Sequence, residues 1–180
     1  MILVGCRPPG RFTEQHDIFF GIGESMKSLL PEIKEYWPEA KGKLHIDAYR
    51  EVTAVDGYSI EVVEKQNGAG REAQLFFINL GGYQRGLFDE LHFKVLTVQP
   101  DKARAVKQAK TTEFFKKNGF LPGAGAHIDD QHGIDIDDLH KVNDILPPRQ
   151  KELYSLRITR NEAVVADVLH LGYFKLTGFK

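Results

Sequence analysis

The amino-acid sequence repeats itself, and this internal duplication constrains the fold more than any other feature. Residues 1–22 align with residues 77–98 without a gap, at an offset of 76, and six of the 22 pairs are identical. Unrelated segments of this length would share roughly one or two, so we infer two copies of one structural unit. The identical pairs are Ile2/Ile78, Gly5/Gly81, Gly10/Gly86, Phe12/Phe88, Glu14/Glu90 and His16/His92.

Later segments keep the correspondence at larger offsets. His45-Ile46-Asp47 recurs as His127-Ile128-Asp129 at an offset of 82, and Tyr58-Ser59-Ile60 recurs as Tyr154-Ser155-Leu156 at an offset of 96. Because the offset grows along the chain, the second copy is predicted to carry two insertions, which belong in surface loops.

The domain organisation follows from these offsets. We predict a first copy over residues 1–64, a second over 75–160, and an extra C-terminal strand within 161–180. A unit of this size is only marginally stable alone, so residues 1–180 are expected to form one compact body with a shared core.

Composition excludes several classes of protein. The 24 Lys and Arg against 25 Asp and Glu give a net charge of −1, which argues against nucleic acid or an anionic membrane as the partner. The sequence lacks both a spanning apolar run and a signal peptide pattern, so we expect a soluble, cytoplasmic protein. A single cysteine excludes a disulfide framework and Cys-rich zinc modules.

Each copy is interpreted as two strands, a helix and two more strands. In the first copy, Ser25 is the expected N-cap, and Pro31 either kinks the helix or begins a second one. The first-copy strands are predicted at 2–4, 17–22, 45–52 and 58–64. The helical stripe is Met26, Leu29, Leu30, Ile33 and Trp37.

The second copy is predicted to repeat this order. Its helix is expected from about Pro100, at the first position, to Asn118, and Asn67-Gly68 predicts a hairpin between 58–64 and the following strand. The remaining strands are predicted at 74–80, 91–98, 154–159 and 171–176. The fold class is therefore α+β, with two tandem ββαββ-like repeats, mainly antiparallel sheet and one main helix per repeat.

Two stretches of the chain resemble a known bacterial family. Leu75-Phe76-Phe77-Ile78-Asn79-Leu80-Gly81-Gly82-Tyr83, followed by Gly86, Phe88, Glu90 and His92, resembles the signature of domain of unknown function 1543. His45-Ile46-Asp47 through Val55-Asp56-Gly57-Tyr58-Ser59-Ile60 resembles its second signature. The first copy departs from the signature at Cys6 and Arg7. The resemblance implies one or two copies of the unit, and it brings no reaction, ligand or catalytic residue.

Repeated His and carboxylate pairs are the candidate site. Residues i and i+2 of a strand share a face, so each pair aims two side chains at one place. Such a set suits zinc, iron or manganese, or a carboxylate-oriented histidine acting as general base. The catalytic candidates are Glu14, His16, His45, Asp47, Glu90, His92, His127 and Asp129. The metal-ligand candidates among them are His16, His45, His92 and His127.

A structural interpretation of the same pairs stands beside the functional one. The pairs would then hold the long glycine-bearing loops against the sheet by ordinary polar contacts. No cofactor is expected in that case, and Cys6 is expected to be a buried, inert thiol.

Two functions from different classes remain. The sequence favours the first, a non-catalytic binding or self-association module, which includes a homo-oligomer and an unidentified small-molecule ligand. The alternative is an enzyme that performs metal-assisted or acid-base chemistry on a small polar substrate. Only the second predicts that His16 and His45, or His92 and His127, lie close enough to share an ion.

Overall fold

The computed structural model describes residues 1–65, 72–84, 86–114 and 134–179. The chain divides into two units, one of Met1–Asn67 with Ile145–Lys180 and the other of Gly68–Asp144. Helices and antiparallel sheet occur in the chain together, which confirms the α+β class. The boundary between the units falls inside the predicted second copy, 75–160, and the single body built from two copies stays a prediction.

The order of elements is as follows. The strands are β1 (Ile2–Cys6), β2 (Gln15–Phe19), β3 (His45–Tyr49), β4 (Ala54–Val55), β5 (Tyr58–Glu64), β6 (Gln74–Tyr83), β7 (Glu90–Gln99), β8 (Ile134–Lys141), β9 (Tyr154–Arg160) and β10 (His170–Lys175). The described α-helices are α1 (Met26–Tyr36), α2 (Lys102–Ala109), α3 (Val142–Ile145) and α4 (Pro148–Leu153). Two 3-10 turns occur at Pro38–Ala40 and Leu176–Gly178.

The first unit contains two sheets. One has the strand order β10-β3-β1-β2, and the other has the order β4-β5-β9. Alternate residues of β1 point into a core that α1 closes, with Leu29 and Ile33 of the helix among its buried members. Burying apolar side chains contributes about 25 cal/mol per Å² of area removed from water, so this face holds the sheet and α1 together.

Helix α1 is continuous through Pro31, so the alternative of a separate first turn is wrong. Ser25 and Ser28 form a reciprocal capping box, in which the Ser25 side chain accepts from the Ser28 amide at 3.3 Å. This satisfies amides that would otherwise be unpaired at the start of the helix. The sequence therefore located this helix correctly.

The second unit contains a sheet of order β7-β6-β8, with Phe76, Ile78 and Leu80 buried against α2. The predicted start of this helix at Pro100 is wrong, because the Asp101 carboxylate accepts from the Arg104 amide at 2.8 Å and makes Asp101 the N-cap. The helix ends at Ala109, and the predicted end at Asn118 lies outside the described residues.

The strand pattern differs from the prediction in two places. The hairpin between 58–64 and 74–80 is wrong, because β5 pairs with β4 and β9 while β6 pairs with β7 and β8. Strand β8 was not predicted, because three of its eight residues are aspartates, a charge density more typical of a solvated loop than of a strand. Tyr58–Glu64 itself has the predicted bounds, and the tail strand β10 pairs with β3.

Helix lengths bear on a membrane location. The longest helix in the described ranges is α1, with 11 residues, and none of the described helices combines the length and apolar character that crossing a bilayer requires.

The α-amino group of Met1 is buried and donates to the Arg50 carbonyl at 3.1 Å. Burial, followed by the Arg50 charge, lowers the pKa of this amine from 8.0 to about 5. Between these two values the unfolded chain binds more protons than the folded chain, so stability rises as pH increases from about 5 to 8. A shift of this size corresponds to about 4 kcal/mol across the window.

We therefore expect the Met1 13Cα resonance of the folded protein to titrate near pH 5 by NMR, and near pH 8 in urea-unfolded protein. The unfolding free energy measured by urea titration should rise across the same window. A folded-state titration near pH 8 would show that the amine is solvated.

Candidate functional site

The candidate site of the first unit is built on a row of residues that crosses the sheet. Gly5 of β1 lies opposite His16 of β2 on one side and opposite His45 of β3 on the other. Directly paired residues of antiparallel strands project from the same face, so both imidazoles stand on the face that Gly5 leaves bare.

That face is the one opposite helix α1. Val4 and Cys6 point into the core that α1 closes, so Gly5 between them faces the other way. An alanine Cβ at Gly5 would overlap Asp47 Oδ2 and His45 Nε2. The absence of a side chain at Gly5 therefore lets the flanking side chains meet above β1.

Four side chains converge above Gly5. His45 Nε2 lies 3.2 Å from Glu14 Oε1 and 3.2 Å from Asp47 Oδ2. His16 Nε2 lies 3.3 Å from the same Asp47 oxygen and 3.6 Å from Glu14 Oε2. Donor atoms of Glu14, His16 and His45 all lie within 4.8 Å of one another. The structure thus brings together all four first-copy candidates.

These contacts are not ordinary hydrogen bonds. His45 Nε2 and Asp47 Oδ2 are buried, and neither has a hydrogen-bond partner among the described residues. The His45 side chain is 8% exposed, so bulk solvent has little access to its Nε2. Leaving such groups unpaired costs about 1–3 kcal/mol each, which an additional bound group would offset.

The distances fit a coordinated ion. A tetrahedral ion bound at about 2.0–2.2 Å separates neighbouring donor atoms by about 3.3–3.6 Å. The four His-to-carboxylate distances run from 3.2 to 3.6 Å. Two imidazole nitrogens with carboxylate oxygens form a ligand set that suits zinc, iron or manganese.

Exposure differs across the set. Glu14 and His16 have side chains that are 46% and 41% exposed, whereas Asp47 is 23% exposed and His45 is buried. An ion held here would be anchored from below by His45 and reached from solvent on the side of Glu14 and His16. A site with an accessible side leaves room for water or substrate.

Cys6 follows Gly5 in β1, but its thiol points into the core on the opposite face of the sheet. Its side chain is buried, as expected. Burial raises the pKa of the thiol, and the charges of Glu14 and Glu39 raise it further. A neutral thiol neither ligates a metal strongly nor acts as a nucleophile.

Of the second-copy candidates, the described residues include only Glu90 and His92. His92 of β7 lies opposite Gly81, and Glu90 begins the same strand. His127 and Asp129 lie outside the described residues. The residue opposite Gly81 on β8 is Asp135, and the β6–β8 register shifts between Asn79 and Leu80 as the β1–β3 register shifts between Leu3 and Val4.

Sequence reasoning missed two residues of the first-unit site. Gly5 could be found in the sequence as an identical pair with Gly81, but its place between two histidines depends on strand pairing. The Tyr173 ring of β10 packs against the His45 ring, with centroids 4.5 Å apart and the planes tilted by 30°. No sequence pattern connects residue 173 with residue 45. The contact depends on the pairing of β10 with β3, and β10 belongs to the C-terminal segment that is not part of the repeat.

Comparison with known proteins places the fold and leaves the function open. Residues 11–62 match the model of a family described as Domain of Unknown Function (DUF1543), which confirms the resemblance over that part of the chain. The crystal structure of protein Il1583 from Idiomarina loihiensis is similar, with a TM-score of 0.63 and 23% identity over 97% of this chain and 94% of that one. No curated protein matches the chain.

Proposed function

For a chain whose residues 11–62 match the family of unknown function DUF1543, we propose that Glu14, His16, His45 and Asp47 bind a divalent transition-metal ion. The observation that carries the proposal is the 3.2 Å distance between His45 Nε2 and Asp47 Oδ2. Both atoms are buried and make no hydrogen bond, and the distance is close to that between two ligand atoms of one tetrahedral ion. A salt bridge would instead align a donated proton at shorter range.

The ligand set indicates catalysis rather than a purely structural ion. Structural zinc sites are closed and usually rich in cysteine, whereas this set keeps exposed His16 and Glu14 at its rim. If a water completed the coordination as a fifth ligand, the ion would lower the pKa of that water towards 7, and the unbound oxygen of the Glu14 carboxylate at the rim would be placed to accept its proton. We therefore infer metal-assisted hydrolysis or isomerisation of a small polar substrate.

Metal binding by the wild-type chain tests the proposal directly. Protein purified without chelator, stripped, and titrated with Zn²⁺, Mn²⁺, Fe²⁺ and Co²⁺ should bind about one ion per chain tightly at this site by calorimetry and elemental analysis. At an ion concentration one hundred times Kd, the unfolding free energy should increase by about 2.7 kcal/mol. Failure to retain or bind any of the four ions would overturn the proposal.

We also propose that the chain contains two tandem ββαββ-like repeats. The orders β2-β1-β3 and β7-β6-β8 agree, and each has a register shift at the corresponding place. An offset of 96 relates Tyr58 to Tyr154 and Glu64 to Arg160, so the Tyr58–Arg160 and Glu64–Tyr154 pairs of β5 and β9 correspond to each other. In this alignment Asp135 replaces His127 as the counterpart of His45.

The non-catalytic binding or self-association module stays a prediction. Its best support is that Phe12 and Phe88, corresponding residues in the two glycine-bearing loops, are fully exposed. A homo-oligomer, a small-molecule ligand, the absence of nucleic-acid and membrane partners, and a cytoplasmic location likewise stay predictions.

A further inference from the structure

Strand β10 carries an irregularity directly beside the metal ligands. Leu171 pairs with Ala48 and Phe174 pairs with Ile46, so Gly172 and Tyr173 together stand against the single residue Asp47. Such a bulge bends a strand and changes the direction of a side chain. Gly172 has φ of +139°, a backbone conformation that side-chain-bearing residues rarely adopt.

The residue that follows Tyr173 is fixed by packing. Phe174 packs against the first-unit core and contacts the Tyr49 ring edge-on, with centroids 5.5 Å apart. Because Phe174 adjoins Tyr173, this contact sets the direction in which Tyr173 projects. His170 also stacks on Tyr49, at 4.4 Å, but it lies outside the bulge, with the paired residue Leu171 between.

Tyr173 covers one face of the His45 imidazole. The ring centroids are 4.5 Å apart, and the planes meet at 30°. The polar contacts of His45 are with Glu14 and Asp47 and both involve Nε2, so they fix the position of that nitrogen and not the plane of the ring. The Tyr173 ring lies against one face of the imidazole and opposes a change in that plane.

Resting on the proposed metal site, we propose that Tyr173 is a positioning residue, whose stacking on His45 holds Nε2 toward the ion. Tyr173 is itself 65% exposed, so its ring is not part of the buried core. Groups that orient a histidine ligand, without touching the ion, typically change metal affinity by about 10- to 100-fold when removed. The same fixed ring plane sets the ligand field that a spectroscopic ion reports.

The experiment compares Tyr173→Ala, Tyr173→Phe and the matched control His170→Ala, which removes the neighbouring stack on the same two strands. We expect Tyr173→Ala to weaken Co²⁺ binding by about 10-fold and to shift the visible Co²⁺ absorption bands. Tyr173→Phe keeps the stacked ring and should retain wild-type affinity and bands, as should His170→Ala. Circular dichroism should show the same folded content in all four proteins.

The outcomes separate this inference from the site itself. If wild-type protein binds Co²⁺ and Tyr173→Ala binds it with unchanged affinity and bands, Tyr173 has no positioning role while the metal site stands. If His170→Ala weakens binding as much as Tyr173→Ala, the effect belongs to β10 in general and the inference is wrong. If wild-type protein binds no ion, the proposed function and this role both fail.

Discussion

Replacing Gly5 with alanine is expected to abolish metal binding while leaving the chain folded. The new Cβ would occupy the space in which Asp47 Oδ2 and His45 Nε2 meet, and both atoms lie at the ends of side chains that must move apart. Overpacking of this kind costs about 1–3 kcal/mol, which a folded domain usually tolerates. Two displaced ligands, in contrast, should lower Co²⁺ or Zn²⁺ affinity by at least about 100-fold.

Calorimetric titration gives the affinity of the Gly5→Ala protein, and urea unfolding gives its stability. Gly178→Ala is the matched control, because a Cβ at residue 178 meets no atom within 4 Å. It should bind metal as the wild type does. Normal metal affinity in Gly5→Ala would mean that the imidazoles do not need to converge above β1.

Removal of the buried ligand His45 should be equally severe for binding. In the His45→Ala protein, His16 would remain at the rim, and Asp47 Oδ2 would face a cavity instead of a nitrogen 3.2 Å away. Loss of a ligand should exceed the roughly 100-fold upper cost of losing an outer-shell partner. We expect stoichiometric binding to disappear at micromolar ion concentrations.

His140→Ala is a suitable control for this variant. His140 also lies two residues from an aspartate on a strand, with Nε2 3.7 Å from Asp138 Oδ1, but this pair is exposed and outside the site. Its replacement should leave metal content unchanged by elemental analysis. Equal losses in the two variants would point to nonspecific binding by surface histidines.

Local patterns in the sequence predicted much of the first unit. The i, i+2 spacing placed Glu14 with His16, and His45 with Asp47, and the apolar stripe after Ser25 located α1. These features depend only on residues that are close together in the sequence, and the periodic spacing of side chains in strands and helices is enough to predict them. The sequence could not predict that β1 separates β2 from β3, because strand order depends on long-range pairing.

The same limit applies to the counterpart of His45 in the second copy. A three-residue match predicts His127-Ile128-Asp129, which lies outside the described residues, and strand pairing shows in addition that Asp135 lies opposite Gly81. The sequence could not show this second relation, because it depends on the register between β6 and β8. Tyr173 was not predictable for a related reason. Its contact with His45 depends on a bulge in β10, a strand more than a hundred residues further along the chain.

The row His16–Gly5–His45 has a topological consequence. Residues 17–44, which include all of α1, connect the two histidines. An ion that binds both imidazoles would join the two ends of this segment and close it into a loop. If the ion stayed bound to both histidines during unfolding, the closed loop would lower the conformational entropy of the unfolded chain. Metal concentration would then affect the stability of α1, although the helix lies on the opposite face of the sheet from the ion.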